Sequence, residues 1–411
     1  MQNTYLIYIL SLNEIVSRVG MHPTYFYYWN SKERKLNSET KWQRVIPWLI
    51  SQIVASIYLI IVVPIVILRM IYQLNNSDEV VCLDRMFAYL LQTLVLLLSY
   101  GLNLTFYHQR KSIVGYLNQL LYYHEEFFKK RFASRFWKEF AEIKKINRES
   151  FDVIGWFQIY LVLYLGLIPA IATLVVSYFD LNSPYMSSLY IIPANLQKDI
   201  VDTTMYKLLM AILSYFLHAE ACRTLRHSMT AVIHASSLTV NITNRHLSQS
   251  NSMSLAKRIN DYRIFTQVHS QSVTFSTMIS ILMGMGYIIT VISGAISLVG
   301  WMFLRPVVYF VFPLTWLVVI ITTVTTLTAI PYCACFNEGS TQLLEKLRLD
   351  VKVLWGKQRR LLLCLLKTLK PVKFYCGNVG PICRESNTLF LVAIIADTSS
   401  LLLLCKLYML E

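Results

Sequence analysis

The chain has 411 residues, of which 55% are hydrophobic and 13% aromatic, a composition too apolar for a soluble globular protein. Its formal net charge of +15 raises the question of nucleic acid, but the basic residues stand beside long apolar segments. Attraction to the anionic lipids of a cytoplasmic leaflet accounts for such charge without nucleic acid. The sequence therefore predicts a membrane protein whose basic segments contact lipid headgroups.

The positive charge is distributed in four blocks. Of the 38 lysines and arginines, 32 lie in residues 1–44, 108–152, 223–272 and 333–386, and apolar segments with short, nearly neutral linkers separate the blocks. Lys and Arg are retained on the cytoplasmic side of a membrane. Four inside blocks predict seven crossings, with the N-terminus inside and the C-terminus outside, which is the reverse of a G-protein-coupled receptor.

The expected fold class is all-α, a polytopic membrane protein with seven transmembrane helices in one domain. A helix needs about 20 apolar residues to cross the hydrocarbon core. The stretches that meet or approach this length are Val45–Leu68, Met86–Tyr107, Val153–Phe179, residues 201–221, Val273–Leu304, Val307–Tyr332 and Thr388–Cys405. Residues 1–44 would be a cytoplasmic N-terminus, residues 45–332 would hold helices 1–6, residues 333–386 would be a cytoplasmic amphipathic helix and linker, and residues 387–411 would hold the last helix.

The charge rule also decides two weaker features. The fourth span has a clean apolar core of only Leu208–Leu217, but without it the basic block at 223–272 would lie outside, against the rule. The linker at 69–85 carries the triplet Asn75-Asn76-Ser77, an acceptor that can be glycosylated only in the lumen. We therefore expect a fourth span, and glycosylation of Asn75 on the outside.

Two segments have the character of packed cytoplasmic helices. No Gly or Pro occurs in the 90 residues from Ala194 to Met283, so no residue of the kind that ends a helix is present there. We therefore expect helices 4 and 5 to continue beyond the membrane. Leu343–Leu369 is a helix rich in Leu, Lys and Arg that either lies on the membrane surface or packs into the same bundle. Extensions of helices 4–6 are expected to form a cytoplasmic anchor bundle.

Aromatic and hydroxyl side chains gather near the predicted outer ends of the spans. Small-molecule sites are concave and mostly apolar with a few polar groups, whereas an aromatic belt anchors any membrane protein at its interface. For a single aromatic residue the belt is the simpler interpretation, and for the group around Trp301, Tyr309 and Trp316 we favour a ligand pocket. The predicted pocket residues are Tyr178, Tyr206, Trp301, Tyr309, Phe312, Thr315 and Trp316.

Catalytic and metal-binding patterns are not apparent. The eight cysteines show neither zinc-site spacing nor a disulfide framework. His218, Glu220 and His227 could suggest a proton relay or a metal site, but at the predicted cytoplasmic end of helix 4 solvated or paired side chains are the simpler interpretation. The sequence has no nucleophile elbow, phosphate loop or paired carboxylates, so we expect neither an enzyme nor a cofactor.

The segment before the last helix carries a family resemblance. Residues 365–377 read Leu-Leu-Lys-Thr-Leu-Lys-Pro-Val-Lys-Phe-Tyr-Cys-Gly, which resembles the segment before the final helix of insect gustatory receptors, where a Leu-rich helix leads into Pro-Val-x-Phe and then Cys-Gly. The last helix of that family carries Thr-Tyr, five hydrophobic residues and Gln-Phe; residues 399–407 keep the spacing but have Ser, Ser, Lys and Leu at the four named positions. The positions that match the first motif are Pro371, Val372, Phe374, Cys376 and Gly377.

The resemblance implies a ligand-gated, non-selective cation channel of four subunits, opened by small organic tastants. The last helix of each subunit would line a central pore, and helices 2 to 6 would enclose a ligand pocket that opens outward. In the sugar-sensing branch of the family the first hydrophobic residue after Thr-Tyr is typically Glu, and here it is Leu401, so a bitter or aversive ligand is favoured over a sugar. The resemblance also implies the plasma membrane of gustatory receptor neurons.

Two ionisable residues make the orientation of the last helix important. Asp397 and Lys406 are nine residues apart, which places them on opposite sides of a helix with about 100° per residue. Either Asp397 faces the pore and its carboxylates favour cations, or Lys406 does and its ammonium groups repel them. Because Lys406 stands where the family has Gln, we expect weak conduction as a homotetramer and a need for partner subunits; the alternative is that Lys406 snorkels to the interface. The predicted pore and gate residues are Asp397, Ser400, Leu404, Lys406 and Leu407.

Two other classes of protein are alternatives. A receptor that signals through G proteins requires an outside N-terminus and normally an Asp-Arg-Tyr-like triplet after helix 3, which this sequence lacks. A secondary transporter often shows internal repeats and helices broken at mid-membrane, and the sequence has no convincing repeat. The channel is therefore the leading hypothesis.

Overall fold

The chain is mostly helical in its computed structural model, which describes residues 27–30, 33, 35–39, 41–76, 83–132, 153–178, 180, 182–201, 203–248, 254–303, 330–331, 333–376 and 380–410. The elements in chain order are β1 (Tyr27–Asn30), β2 (Lys35–Ser38), α1 (Trp42–Ile57), a π-helical turn (Tyr58–Val62), α2 (Val63–Asn76), α3 (Leu83–Phe132), α4 (Val153–Tyr178), α5 (Ser183–Ile191), α6 (Ala194–Ile200), α7 (Thr204–Ser248), α8 (Leu255–Ser270), α9 (Val273–Phe303), α10 (residues 333–352), α11 (Gly356–Thr368), β3 (Tyr375–Cys376), β4 (Gly380–Pro381) and α12 (Glu385–Leu410).

Several of these helices are long and apolar enough to cross a membrane. Within the described residues the candidate spans are Trp48–Tyr72, Tyr89–Tyr123, Val162–Ile191, Thr204–Val240 and Ser276–Ala295, and a shorter apolar stretch, Thr388–Leu403, lies in α12. The weak fourth span of the sequence is among them, as α7. The predicted sixth span, residues 307–332, lies almost entirely outside the described residues, so seven spans and their orientation stay predictions.

The surface of α1 and α2 has the character of a lipid-facing helix. Ile53, Ile57, Ile60 and Leu68 are all more than half exposed and follow one another along the helix. A continuous apolar surface of this length is unusual for a soluble monomer. Lipid acyl chains are an environment in which these side chains would stay out of water.

The first span contains a π-helical turn, in which the Val63 N–H bonds to the Tyr58 carbonyl oxygen. Pro64 follows the last residue of the turn by two positions. Proline has no N–H, and its ring crowds the carbonyl group four residues earlier, which here is that of Ile60 inside the turn. Single π-helical turns inside α-helices are frequently found at functional positions, and here the turn begins at the buried Tyr58.

The largest hydrophobic core, which we call the anchor, joins the second half of α3, the second half of α7, α8, α10, α11 and the linker that precedes α12. Its central buried side chains include Tyr116, Phe265, Phe336 and Phe374. The β1–β2 hairpin packs onto it through Tyr27 and Leu36. The side-chain amide of Asn118 accepts a hydrogen bond from the Leu36 N–H and donates one to the Leu36 carbonyl oxygen, both at 2.8 Å. Extensions of membrane helices therefore do form one packed core.

The anchor differs from the sequence expectation in its boundaries. The helix of the fourth span continues unbroken to Ser248 over 45 residues, which confirms the expectation for that helix. The helix of the fifth span does not continue in this way, because α8 ends at Ser270 and a turn separates it from α9. In that turn the N–H groups of Gln271 and Ser272 each bond to the carbonyl oxygen of the residue three positions earlier. The prediction of a single helix over residues 343–369 is also wrong, because the chain turns before Gly356. The φ of Gly356 is +76°, a conformation that favours glycine.

An unexpected contribution to the anchor comes from α3, which spans 50 residues and carries the second span directly into the core. The sequence signal for this extension is an apolar period at Ile113, Tyr116, Leu117 and Leu120, each buried in the anchor. Spacings of three and four residues are those of one helical face. The two short hairpins, β1–β2 and β3–β4, are small additions to an otherwise helical chain.

Candidate functional site

The helix predicted to line a pore, α12, packs against α9. The Tyr287 hydroxyl donates a hydrogen bond to Oδ2 of Asp397, and the Tyr287 ring meets the Phe390 ring edge-on with centroids 5.6 Å apart. Further along, Gly294 lies so close to α12 that a Cβ there would be 3.4 Å from the Thr398 methyl carbon. One side of α12 is thus fixed to α9 at three positions.

The other side of α12 is open in the isolated chain. Val392, Ile395 and Leu403 are about 60% exposed, at 59%, 64% and 64%, and Ser399 is also exposed. Of the predicted pore residues, Asp397 and Ser400 are both exposed. The Asp397 carboxylate accepts the hydrogen bond from Tyr287, and the Ser400 hydroxyl is bonded to the Ala396 carbonyl oxygen of the same helix. Leu404, Lys406 and Leu407 lie in the last turns of α12, where the structure describes the backbone only.

The linker into α12 is buried in the anchor at the residues of the family motif. Val372 and Phe374 are 5% and 2% exposed, the Val372 carbonyl oxygen accepts a hydrogen bond of 2.9 Å from the Ser340 hydroxyl, and the Phe374 ring packs against Phe336. Pro371 and Cys376 are half-buried, and Gly377 lies outside the described residues. The motif therefore fixes the chain to the anchor directly before the predicted pore helix.

His269 connects three of these segments. Its Nε2 lies 3.2 Å from the Lys373 carbonyl oxygen and 3.1 Å from the Ser272 hydroxyl, and its Nδ1 lies 3.2 Å from the Tyr116 hydroxyl. Because a carbonyl oxygen only accepts, Nε2 carries the proton and Nδ1 accepts from Tyr116. Burial lowers the pKa of His269 to about 4, so the ring is neutral at physiological pH.

At the other end of the bundle, the short helix α5 inserts between α2, α3 and α7. Asn182 caps it by accepting the Tyr185 N–H at 2.8 Å, and Ser183 to Ser188 are all buried. The Ser187 hydroxyl lies 3.0 Å from the Tyr58 hydroxyl and 3.2 Å from the Tyr89 hydroxyl. These hydroxyl groups join α5 to the π-helical turn of the first span and to the second span.

Lys207, at the start of α7, is held by neighbours of its own chain. Its Nζ lies 2.9 Å from Oδ2 of Asp180 and 5.2 Å from the centre of the Tyr185 ring. Both Lys207 and Asp180 are about 40% exposed, at 38% and 41%, so the pair is partly open to solvent. An ion pair of this exposure contributes little to stability, and it leaves the ammonium group accessible.

A polar cluster lies where the membrane helices meet the anchor. Oε1 of Glu220 on α7 accepts hydrogen bonds from the amides of Gln52 on α1, at 3.1 Å, and Asn103 on α3, at 3.0 Å, and from Nη2 of Arg223. Arg223 is fully buried. One carboxylate thus joins three helices, and the sequence interpretation of Glu220 as a paired side chain holds. Gln52 and Asn103 are polar residues within apolar runs, and this is the sequence signal that points to the cluster.

The two histidines near Glu220 have partners of different kinds. His218 Nδ1 donates to the Ser214 carbonyl oxygen at 2.8 Å and lies 3.5 Å from the Thr173 hydroxyl on α4. The His227 ring meets the Tyr27 ring edge-on, with centroids 5.4 Å apart. Among the residues that the structure describes, no three His, Cys, Asp or Glu side chains come together as a metal site requires.

Most residues of the predicted ligand pocket lie outside the part of the chain that the structure describes. Tyr309, Phe312, Thr315 and Trp316 lie outside the described residues, and for Trp301 only the backbone, in the last turn of α9, is described. Tyr178 ends α4 with 81% of its side chain exposed, and Tyr206 is half-buried near the start of α7. For Asn75, the predicted glycosylation site, the structure describes the backbone at the end of α2.

The fold is similar to that of an insect olfactory receptor. The receptor OR5 of Machilis hrabei, solved in complex with eugenol, matches with a TM-score of 0.58 and 10% sequence identity, and the match covers 98% of this chain and 100% of that one. No protein-family model and no curated protein matches the sequence. At this identity the likeness establishes the fold alone, over nearly the whole length of the chain.

Proposed function

We propose that the chain is a subunit of a ligand-gated cation channel for chemoreception, opened by a small organic molecule. The observation that carries this proposal is the fold, whose likeness to an insect olfactory receptor covers 98% of the chain. That receptor was solved with eugenol, a small organic molecule, and this chain would bind a ligand of the same size class. Tyr287, Asp397 and the exposed side of α12 are the elements through which we expect ions to be controlled.

Within this class we propose a taste receptor of the plasma membrane of gustatory receptor neurons. The motif at Pro371–Gly377 supports the gustatory assignment, since it resembles the corresponding segment of insect gustatory receptors. Leu401 stands where the sugar-sensing branch has Glu, which favours a bitter or aversive ligand. A panel of sugars and bitter compounds applied to cells that express the receptor tests this, and activation by sugars alone would contradict it.

The ligand pocket is proposed to lie within the bundle, with Trp301, Tyr309 and Trp316 among its walls. Losing a large aromatic contact at a binding hot spot typically costs about 2 kcal/mol or more. Alanine at each position should therefore weaken the response while surface expression persists. Unchanged dose–response curves in all three variants would assign these residues to the interfacial belt instead.

The orientation proposed is an inside N-terminus and an outside C-terminus, because 32 of the 38 lysines and arginines fall in the blocks assigned to the cytoplasm. The anchor would then be cytoplasmic and α5 external. Epitope tags at the two ends, stained with and without permeabilisation, test the assignment. An N-terminal tag that is accessible on intact cells would contradict it.

The assembly proposed is a tetramer, more often with other gustatory subunits than of this chain alone. The exposed side of α12 supports assembly, because Val392, Ile395 and Leu403 have no covering from their own chain among the described residues. Lys406 stands where the family has Gln, and four ammonium groups near the outer end of a pore would repel cations.

Conduction by the chain alone tests this proposal. Wild type and Lys406→Gln are expressed without other subunits, with surface protein quantified, and the substituted channel should carry the larger cation current. Lys406→Arg is the matched control, which keeps the charge and should resemble wild type. Equal currents from wild type and Lys406→Gln would contradict the charge-ring argument and leave Lys406 as an interfacial residue.

A further inference from the structure

The three contacts between α12 and α9 define which side of α12 is turned away from the rest of its chain. At about 100° per residue, Phe390, Asp397 and Thr398 fall within a sector of roughly 100° on the helix, and all three contact Tyr287 or Gly294 of α9. Val392 and Ser399 lie on the opposite side. Asp397 is exposed in the isolated chain, but it lies at the edge of α12 that borders α9 and not on the side that is farthest from α9.

The carboxylate of Asp397 is satisfied by its own subunit. An ionisable group in a membrane-spanning helix is costly unless it finds a partner, and a hydroxyl that donates to a carboxylate forms one of the stronger hydrogen bonds in proteins. Tyr287 supplies that donor. The same tyrosine ring packs against Phe390, two turns earlier on α12, so one side chain fixes both the rotation and the distance of α12 relative to α9.

We propose that the Tyr287–Asp397 hydrogen bond holds α12 in its resting position and keeps the Asp397 carboxylate out of the ion path. The inference rests on the proposed channel function and assigns the pore surface to the opposite side, with Val392, Ile395, Ser399 and Leu403. Asp397 is then a positioning residue, and it does not form an acidic ring that selects cations. Movement of α12 away from α9 during opening requires this hydrogen bond to break.

The contact itself is tested without any current. In the purified protein, the pair Gly294→Cys and Thr398→Cys should form a disulfide under mild oxidation, measured as loss of two maleimide-reactive thiols. The matched control is Gly294→Cys with Ser399→Cys, one residue further along and turned away, which should stay reduced. Cross-linking of the control pair and not of the first pair would overturn the assigned face of α12.

The role of the hydrogen bond is tested by the resting current, which is the Na⁺ current without ligand. All variants are made in the Lys406→Gln channel, which serves as the background. Tyr287→Phe removes the hydroxyl and keeps the ring, and Asp397→Leu removes the acceptor; each should raise the resting current about tenfold, as expected for loss of a hydrogen bond to a charged group. The two changes together should add nothing to either one, because they remove the same interaction.

Two further variants separate positioning from charge. Asp397→Asn keeps an oxygen that accepts from Tyr287, so its resting current should stay at the background level; Tyr72→Phe, at an exposed position of α2, is the control for removal of a hydroxyl. Adding Asp397→Asn to Tyr287→Phe should leave the Na⁺ to Cl⁻ permeability ratio unchanged. A fall in that ratio would place the carboxylate in the ion path and overturn the proposal. If the disulfide forms but every variant has the resting current of Lys406→Gln alone, the proposal is also overturned. The channel function itself is judged separately, by the ligand-evoked current of Lys406→Gln.

Discussion

The anchor and α12 are built from different kinds of contact. In the anchor, Phe336 and Phe374 are almost fully buried, and the polar groups between them are paired within the chain. In α12, Leu389 and Ile395 are 68% and 64% exposed, and the described attachment to α9 depends on Tyr287 and a close approach at Gly294. The anchor has a packed core within one chain, although Val353, Trp355 and Leu361 at its surface are exposed, whereas one side of α12 is left open along its described length.

If the chain is the channel subunit that we propose, this difference would separate stability from gating. Free energy of folding is concentrated where apolar side chains leave water, so substitutions in the anchor should unfold the protein. Substitutions on α12 should alter currents and leave the folded state intact. The boundary lies at the linker, where Ile382 is still buried in the anchor and the Cys383 N–H bonds to the Ser386 hydroxyl at 3.2 Å as α12 begins.

The largest expected effect is that of Phe374→Ala. Truncation of a buried phenylalanine typically costs about 3–5 kcal/mol, and this ring contacts both Phe336 and His269. Thermal unfolding in detergent, followed by tryptophan fluorescence, should show a strongly lowered midpoint or no folded protein. Tyr375→Ala is the matched control, because Tyr375 is the next residue and is half-exposed. Similar midpoints for the two variants would remove the contrast between the anchor and its surface.

A second effect is a loss of anchor stability in acid. His269 is neutral and buried with a pKa of about 4, whereas its ordinary value is 6.5; the unfolded chain therefore binds the proton more readily, and stability must fall as the pH drops from about 6.5 toward 4. The loss amounts to about 3 kcal/mol at most. Unfolding midpoints of wild type and His269→Gln, measured between pH 7.5 and 4, check this. A slope that is the same in both would contradict the assignment.

The smallest expected effect compares two serine hydroxyls. Ser340→Ala leaves the Val372 carbonyl oxygen without its hydrogen bond inside the anchor, which should cost about 1 kcal/mol or slightly more. Ser400→Ala, on the exposed part of α12, removes a bond to the carbonyl oxygen of its own helix and should be close to neutral. If Ser400→Ala is the more destabilising of the two, α12 is better packed than we infer.

The long helices could be predicted from the sequence because their determinants are local. Apolar runs of membrane length and the absence of Gly and Pro from Ala194 to Met283 correctly indicated the helix of the fourth span, which ends at Ser248. The break at Gln271 and Ser272 has no such mark in the sequence. His269 bonds there to the carbonyl oxygen of Lys373, 104 residues away, and a contact of that range leaves no local pattern.

The sequence singles out individual residues near the last helix, but not the contacts between them. The motif residues Val372 and Phe374 were singled out by resemblance, and the structure gives them a role in fixing the linker to the anchor. The spacing of Asp397 and Lys406 indicated opposite sides of the last helix, but it could not say which side faces away from the bundle. That information comes from Tyr287, 110 residues before Asp397, which no spacing rule connects to it.

In the proposed channel, α12 of four subunits surrounds an ion path and the anchor lies on the cytoplasmic side of the membrane. A single-particle electron-microscopy reconstruction of the purified protein in lipid nanodiscs tests this most directly. We expect a fourfold particle with an axial pore, in which Val392, Ile395, Ser399 and Leu403 face the axis and Asp397 faces α9. A monomeric particle, or an assembly in which α12 lies against lipid at the periphery, would contradict it.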